Sequence, residues 1–102
     1  MEKLIGHSNV TVNEEGYLAN FTQWSKEIAE EIAKESGIAL TPRHWEVLNY
    51  LQTEFKQGHP LSIRAIGKSG VVDIKEFYAL FPGGPLKIST KIAGIPKPAS
   101  CL

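Results

Sequence analysis

Glycine and proline cut this chain into short segments, and this punctuation is what most limits the folds open to it. Breaks fall at Gly37, Gly58 and Gly70 and at residues 82–85, which read Pro-Gly-Gly-Pro. Glycine often ends a helix because it adopts a left-handed backbone at little cost, and proline is well accepted in the first turn of a helix. The spacing predicts about five mostly short helices.

Apolar residues recur at helical spacing between these breaks. The clearest stripe runs from Ile28 to Ala33, with charged residues around it. Thr41 followed by Pro42 is typical of a helix start, and Asp73 is a suitable cap for a later helix. The helices predicted after residue 58 cover residues 62–68, 73–81 and 86–93. Seven aromatic residues are assigned to the core, namely Trp24, Trp45, Tyr50, Phe55, Phe77, Tyr78 and Phe81.

The N-terminal segment has the alternation of a β-hairpin. Val10 and Val12 alternate with polar residues, and residues 4–5 are the expected partner strand across a turn at Gly6. A further short strand is expected at Tyr17 and Leu18. A two-stranded hairpin is marginal alone, so it must pack on helices. The predicted fold class is therefore mainly α (α+β): an N-terminal β-hairpin packed on a bundle of about five short helices, with a flexible C-terminal arm.

Composition places the chain among small single-domain proteins. It has 102 residues, of which 42% are hydrophobic, enough for one core. No long apolar run is present and residues 1–7 do not resemble a signal peptide, so we expect a cytoplasmic protein without a membrane partner. Eleven basic and eleven acidic side chains cancel, which argues against a dedicated nucleic-acid binder.

The last nine residues read as a separate arm. Cys101 is the only cysteine and the next-to-last residue, so its thiol has no partner within its own molecule. Pro96 and Pro98 exclude a helix and favour extended backbone, while Gly94 supplies a flexible joint. We expect one helical domain over residues 1–93 and a flexible arm over residues 94–102. About seven extended residues reach roughly 20–25 Å, enough to enter a partner's active site.

Cys101 is the candidate functional group, because a cysteine thiolate is a nucleophile and a sulfur acceptor. The alternative is that a lone cysteine at a tolerant chain end arises by chance. Arg64 and Lys68 stand one turn apart on a predicted helix and are expected to dock the arm's carboxylate or thiolate. The alternative for this pair is two ordinary solvated charges.

Lysines make the C-terminal third basic. Lys87, Lys91 and Lys97 have no acidic residue after Glu76 to oppose them. Lys97, which lies in the arm, is expected to help the arm dock. The basic end favours an acidic protein surface or an RNA complex as a partner, and the simpler alternative is that the lysines keep an exposed arm soluble.

Other chemistry has little support in the sequence. His7, His44 and His59 stand far apart and near no cysteine, so neither a metal site nor a cofactor is predicted. Pairing of Cys101 with His44, as in thiol proteases, is disfavoured because a tail cysteine is poorly anchored. Residues 62–81 have the size of a helix-turn-helix, but Lys75 is the only basic residue of its second helix and two acidic residues there would repel phosphate.

Several blocks of the sequence match a known family. The blocks are Glu15-Gly16-Tyr17-Leu18, Trp24-Ser25, Thr41-Pro42-Arg43-His44-Trp45-Glu46-Val47, Ile63-Arg64, Leu80-Phe81-Pro82-Gly83-Gly84-Pro85 and Lys91-Ile92-Ala93-Gly94-Ile95-Pro96-Lys97-Pro98. Together with the penultimate Cys101, they resemble the TusE/DsrC family of small sulfur-carrier proteins along nearly the whole chain. The resemblance implies a helical domain with an N-terminal hairpin and a mobile C-terminal arm.

The resemblance also implies a function. Cys101 would take up sulfane sulfur as a persulfide and pass it on, as a stoichiometric carrier without a cofactor. In the TusE branch the donor is a TusBCD-type (DsrEFH-like) complex, and the acceptor is the thiouridylase that makes 2-thiouridine at the tRNA wobble position. DsrC proper has a second arm cysteine where this chain has Thr90, which favours the TusE branch.

Two alternatives stay open after the resemblance. One is a DsrC-like protein that serves a sulfite reductase-type enzyme in sulfur oxidation or sulfite reduction, or regulates that metabolism. The other, from a different class, is a helix-turn-helix DNA-binding regulator. In the sulfur-carrier interpretation, Arg64, Lys68 and Lys97 are the residues expected to dock the arm or to keep the Cys101 thiolate anionic.

Overall fold

The computed structural model describes residues 1–98, which form an antiparallel hairpin and five α-helices. The elements are β1 (Glu2–Ile5), β2 (Ser8–Thr11), a 3-10 turn (Phe21–Gln23), α1 (Lys26–Glu35), α2 (Pro42–Lys56), α3 (Ile63–Gly67), α4 (Ile74–Leu80) and α5 (Pro85–Ile92). The predicted fold class is confirmed. Residues 99–102, which include Cys101, lie outside the described residues.

The hairpin closes at Gly6, whose φ of +60° suits a residue without a side chain. Ile5 and Val10 are buried, and β1 packs against α1, so the hairpin covers one side of the helices. The further strand expected at residues 17–18 is reduced to one antiparallel bridge between Val12 and Leu18.

Side-chain caps fix the starts of four helices. Ser25, Thr41, Ser62 and Asp73 each accept a hydrogen bond from the backbone N–H three residues later. Helices α2 and α5 begin with proline. The N–H that proline lacks would have no hydrogen-bond partner within the first turn of a helix, so its loss costs nothing there. The helix boundaries predicted from local sequence are therefore confirmed to within a few residues.

Helix α5 lies in the middle of the helical packing and contacts α1, α2 and α4. Its inward residues join a single core to which the hairpin and all five helices contribute. The largest fully buried side chains include Tyr17, Phe77, Phe81, Ile5, Ile28, Leu48, Leu51, Ile66, Ile92 and Ile95. No helix within residues 1–98 is long and apolar enough to cross a membrane.

The aromatic residues divide between core and surface. Phe77 and Phe81 are fully buried, and both tryptophans and Tyr50 pack partly buried against the core. The prediction that Phe55 and Tyr78 are core residues is wrong, because they are 39% and 49% exposed. On the two-turn helix α4 the neighbouring Phe77 takes the inward position, which leaves Tyr78 facing outward.

Candidate functional site at the root of the C-terminal arm

Helix α5 ends in a tight turn at Gly94. Gly94 has a φ of +76°, and its N–H donates to the carbonyl oxygen of Lys91 at 3.1 Å. The N–H of Ile95 donates to the carbonyl oxygen of Thr90 at 3.2 Å. These two bonds form a Schellman motif, in which a left-handed residue ends the helix. The turn returns Ile95 to the core, where it is fully buried.

Two distant side chains bind the last carbonyl groups of α5. Nε1 of Trp24 donates to the carbonyl oxygen of Ile92, and Nε2 of Gln52 donates to that of Ala93, both at 2.8 Å. The last carbonyls of a helix lack partners within the helix, and leaving a buried one unpaired costs about 1–3 kcal/mol. Because Gln52 belongs to α2 and Trp24 precedes α1, the two bonds fix the end of α5 against both helices.

Gly94 lies directly against the indole of Trp24. A Cβ atom placed at Gly94 would stand 2.8 Å from Cγ of Trp24 and closer still to Cδ1. The positive φ and the lack of space both require glycine here. We call Trp24, Gln52, Gly94 and Ile95 the arm root.

An ion pair holds the arm on its exposed side. Nζ of Lys97 lies 3.1 and 3.3 Å from the two carboxylate oxygens of Glu15, which follows the hairpin. Lys87 of α5 approaches the same carboxylate at 3.8 Å. The hydrogen bond from Lys97, with the charges of Lys97, Lys87 and Lys91, lowers the pKa of Glu15.

Lys91 completes this charged cluster. Its Nζ lies 5.3 Å from the centre of the Tyr17 ring, a cation–π contact. Partial burial lowers the pKa of Lys91, and repulsion from Lys87 lowers it further. We call Lys87, Lys91 and Lys97, together with Glu15, the lysine collar.

A shallow groove of about 340 Å³ runs beside the arm. Its walls are formed by the arm residues Pro96, Lys97 and Pro98 and by Phe55, His59, Pro60, Leu61 and Ser62 at the end of α2 and the start of α3. The ring of Phe55 is 6.4 Å from that of Phe21, which in turn stacks 6.1 Å from Trp24. This row of aromatic rings links the groove to the arm root.

The first residues of the predicted arm contact the domain. Ile95 is buried, Lys97 is paired with Glu15, and Pro96 and Pro98 line the groove. The division into a domain over residues 1–93 and a flexible arm over residues 94–102 stays a prediction, since the last four residues lie beyond the described part.

The structure separates the predicted site residues. Cys101 lies outside the described residues, and Lys97 belongs to the lysine collar. Arg64 on α3 and Lys68 just after it are exposed, and neither side chain forms an ion pair or hydrogen bond within residues 1–98. Ser62, which caps α3, lines the groove, so the helix that carries Arg64 begins beside the arm.

The histidines have structural or surface roles. Nδ1 of the buried His44 accepts the N–H of Thr41 at 3.1 Å, while its Nε2 lies 2.8 Å from the carbonyl oxygen of Leu80. Both ring nitrogens are therefore engaged, and His44 is not free to act as a base for a thiol. Across residues 1–98, no three His, Cys, Asp or Glu side chains are grouped so as to hold a metal ion.

Sequence reasoning singled out the three lysines of the collar and Gly94 of the arm root, but not the residues that contact them. Trp24 was assigned only to the core, Glu15 stood in a family-matching block without an assigned role, and Gln52 was not singled out. Gln52 binds a carbonyl 41 residues further along the chain, and Glu15 pairs with a lysine 82 residues away. Contacts over such separations leave no local pattern, and the shared family blocks were the only available signal.

Known proteins share both the sequence and the fold. The family model described as DsrC-like protein matches residues 4–102. A sulfurtransferase TusE from Escherichia coli O6:H1 is 39% identical over 101 residues, which covers 91% of this chain and 93% of that protein. The sulfurtransferase TusE of Yersinia pseudotuberculosis is 37% identical, with 91% and 94% covered.

Solved structures agree over the full length. The solution structure of Allochromatium vinosum DsrC has a TM-score of 0.81, and the crystal structure of the oxidized gamma-subunit of the dissimilatory sulfite reductase (DsrC) from Archaeoglobus fulgidus has one of 0.82. Each is 32% identical, and all of both chains is covered. Fold and site thus define a helical domain with an N-terminal hairpin and a firmly rooted C-terminal segment. The chain belongs to the DsrC-like family, as the sequence resemblance predicted.

Proposed function

We propose that the protein is a sulfur carrier that holds sulfane sulfur as a persulfide on Cys101. The observation that carries the proposal is the family match, which extends through the arm to residue 102 and includes relatives named sulfurtransferase. The arm root supports it, because a carrier must present its thiol from a defined place on the domain. Trp24 and Gln52 define that place through a partly buried and a buried hydrogen bond, respectively.

The transfer requires only thiol chemistry. The Cys101 thiolate attacks the terminal sulfur of a persulfide on a donor cysteine, the donor's S–S bond breaks, and the donor cysteine leaves as a thiolate. An acceptor thiolate then attacks the terminal sulfur on Cys101, which leaves as a thiolate in turn. Each step forms one S–S bond and breaks another, so no net oxidation occurs and no cofactor takes part.

The partners are therefore a sulfur donor and a sulfur acceptor with reactive cysteines. We assign the donor to a TusBCD-type (DsrEFH-like) complex and the acceptor to the thiouridylase that modifies the tRNA wobble position. Thr90 stands where DsrC proper has its second arm cysteine, which supports the TusE branch. Its side chain is fully buried, and its hydroxyl donates to the carbonyl oxygen of Leu86 at 2.7 Å. Because threonine has no sulfur, it cannot form a disulfide with Cys101. A reducing compartment such as the cytoplasm would keep the lone thiol available.

A DsrC-like role is the second candidate. The likeness to DsrC over the whole chain favours it. In this role the loaded protein would serve a sulfite reductase-type enzyme. The third possibility, a DNA-binding regulator, gains nothing from the comparisons.

We further propose that Arg64 and Lys68 dock the arm or stabilise the Cys101 thiolate. Both cations are exposed and uncommitted within residues 1–98, and their helix begins at the groove beside Pro98. Substituting both with alanine should then raise the pKa of the thiol and slow its alkylation near neutral pH. Lys75→Ala, on the neighbouring α4, is the matched control, and an unchanged pH profile of alkylation would remove this role.

The carrier proposal is tested by intact mass measurement after exposure to a persulfide-loaded donor. The wild-type protein should gain one sulfur atom, which peptide mapping places on Cys101 and which a thiol reductant removes. Cys101→Ser should gain none while its circular dichroism spectrum stays unchanged. Loading of Cys101→Ser, or no loading of the wild type by a competent donor, would disprove the proposal. Transfer from the loaded protein to a thiouridylase or to a sulfite reductase-type enzyme separates the two candidates.

A further inference from the structure

The lysine collar, on the exposed side of the arm, holds more positive than negative charges. The lysine collar gathers three ammonium groups around the single carboxylate of Glu15. Lys97 already binds Glu15 at 3.1 Å, whereas Lys87 approaches it only to 3.8 Å with a side chain that is 49% exposed. Among residues 1–98, no other carboxylate lies within ion-pair distance of Lys87 or Lys91. Two of the three positive charges are therefore not neutralised by the collar itself.

This excess has a cost within the protein. Lys87 and Lys91 repel each other, and the repulsion adds to burial in lowering the pKa of Lys91. Like charges held close together repel each other, and this repulsion destabilises a folded chain. Lys97 already donates to both oxygens of the Glu15 carboxylate, and the contact of Lys91 with the Tyr17 ring leaves the charge of Lys91 without a counter-ion in the described part of the chain. The surplus charge is therefore available to an external anionic surface.

The covalent chain keeps the collar near the reactive sulfur. Lys97 and Cys101 are four residues apart, and four fully extended residues span at most about 14 Å. The screening length at physiological salt is about 8 Å, so the collar acts on those parts of an approaching surface that come within roughly that distance of it. A protein that exchanges sulfur with Cys101 brings its own cysteine to within this tether of the collar, and a folded domain with a radius of gyration of about 13 Å is wide enough for other parts of its surface to reach the collar.

We infer that the lysine collar receives an acidic rim around the reactive cysteine of a sulfur-relay partner protein. The inference rests on the proposed carrier function and adds the chemistry of the partner surface. A protein fits better than RNA, because Glu15 at the centre of the collar opposes a continuous phosphate backbone, whereas carboxylates of a protein can meet Lys87 and Lys91 singly. Such complementarity mainly accelerates the encounter and orients it.

The test compares protein-to-protein transfer with loading by a small molecule. Lys87→Glu reverses a half-exposed charge of the collar but retains both residues of the arm ion pair, Lys97 and Glu15, and Lys75→Glu makes the same charge change on α4. With a persulfide-loaded TusBCD-type complex as the donor, Lys87→Glu should slow transfer about three- to tenfold at low salt, and the difference should shrink at about 0.5 M salt. Lys75→Glu should transfer at the wild-type rate, and cysteine persulfide should load all three proteins equally.

Three results would overturn the inference while leaving the carrier function intact. They are an equal transfer rate for Lys87→Glu at low salt, an equal loss in Lys75→Glu, and a loss that persists with cysteine persulfide. Binding of tRNA by the wild type that Lys87→Glu abolishes would assign the collar to RNA instead. If cysteine persulfide fails to load the wild type at Cys101, it is the carrier function that fails.

Discussion

The arm is held on two sides by interactions of opposite kinds. On the buried side, Trp24 and Gln52 donate neutral hydrogen bonds to the end of α5, the first partly buried and the second fully buried. On the exposed side, Lys97 and Glu15 form an ion pair that water and salt reach. Buried hydrogen bonds leave an unsatisfied group when broken, whereas exposed ion pairs are screened and contribute little. The buried side therefore fixes where the arm leaves the domain, and the exposed side is easily exchanged for a partner.

The strongest way to break the buried side is Gly94→Ala. The new methyl group would meet the Trp24 indole at less than 3 Å, and alanine disfavours the φ of +76°. Strain and overpacking together should lower the free energy of unfolding by about 2–4 kcal/mol, measured by urea denaturation.

Gly58→Ala is the matched control for this variant. Gly58 has the same φ of +76° but no neighbouring atom within 4 Å of the added carbon. It should cost only about 1 kcal/mol, from backbone strain alone. Equal losses in the two variants would show that the contact between Gly94 and Trp24 contributes nothing.

Gln52→Leu should have the next largest effect. It keeps a similar volume but leaves the carbonyl oxygen of Ala93 buried without its donor, at a cost of about 1–3 kcal/mol. Gln57→Leu, at an exposed position just after α2, should change the free energy of unfolding by less than about 0.5 kcal/mol. A stability equal to that of the wild type for Gln52→Leu would contradict the fixing role of this bond.

Trp24→Phe removes one hydrogen bond from the same side. Loss of the donor to Ile92 should cost about 1 kcal/mol beyond the loss of ring volume. Trp45→Phe measures the volume effect, since Trp45 is also half-buried against the core but has no hydrogen bond from its ring within residues 1–98. If the hydrogen bond from Trp24 contributes to stability, Trp24→Phe should unfold at a clearly lower temperature than Trp45→Phe. Equal midpoints would show that it contributes nothing.

The smallest effect is expected on the exposed side, and it depends on pH. Because Lys97 lowers the pKa of Glu15 in the folded state, the stabilisation is present above the usual value of 4.5 and is lost as pH falls through the lowered pKa. The stability difference between wild type and Glu15→Gln should therefore be small near pH 6 and vanish as the pH falls below the lowered pKa of Glu15.

Glu14→Gln is the control for the pH series. Glu14 precedes Glu15 but has no ion pair in the described part of the chain, so its substitution should show no such dependence. A large difference at pH 6, or one that grows in acid, would mean that the ion pair is not the weak contact described here. Urea denaturation across the pH range measures both variants.

Local sequence predicted where the helices and strands lie, but not which of their faces are buried. The caps at Thr41 and Asp73 and the proline at position 85 set helix starts through contacts within one turn, so short patterns sufficed. Phe55 and Tyr78 were misassigned to the core, because exposure depends on which face of a helix meets the others. For the site, sequence pointed to Cys101 and Lys97 but not to the partners that hold the arm.

The sequence by itself determined where the helices and the hairpin lie to within a few residues, that a lone thiol stands at the end of a proline-containing tail, and the family. The first two properties rest on single residues or on neighbours within a few positions, and the family rests on matching blocks along nearly the whole chain. Only the tertiary structure decided that Trp24 and Gln52 bind the end of α5 and that Lys97 meets Glu15, across separations of 41 to 82 residues. The physical reason is that a buried carbonyl must find a donor somewhere in the fold, and only packing decides which side chain is near enough to supply it.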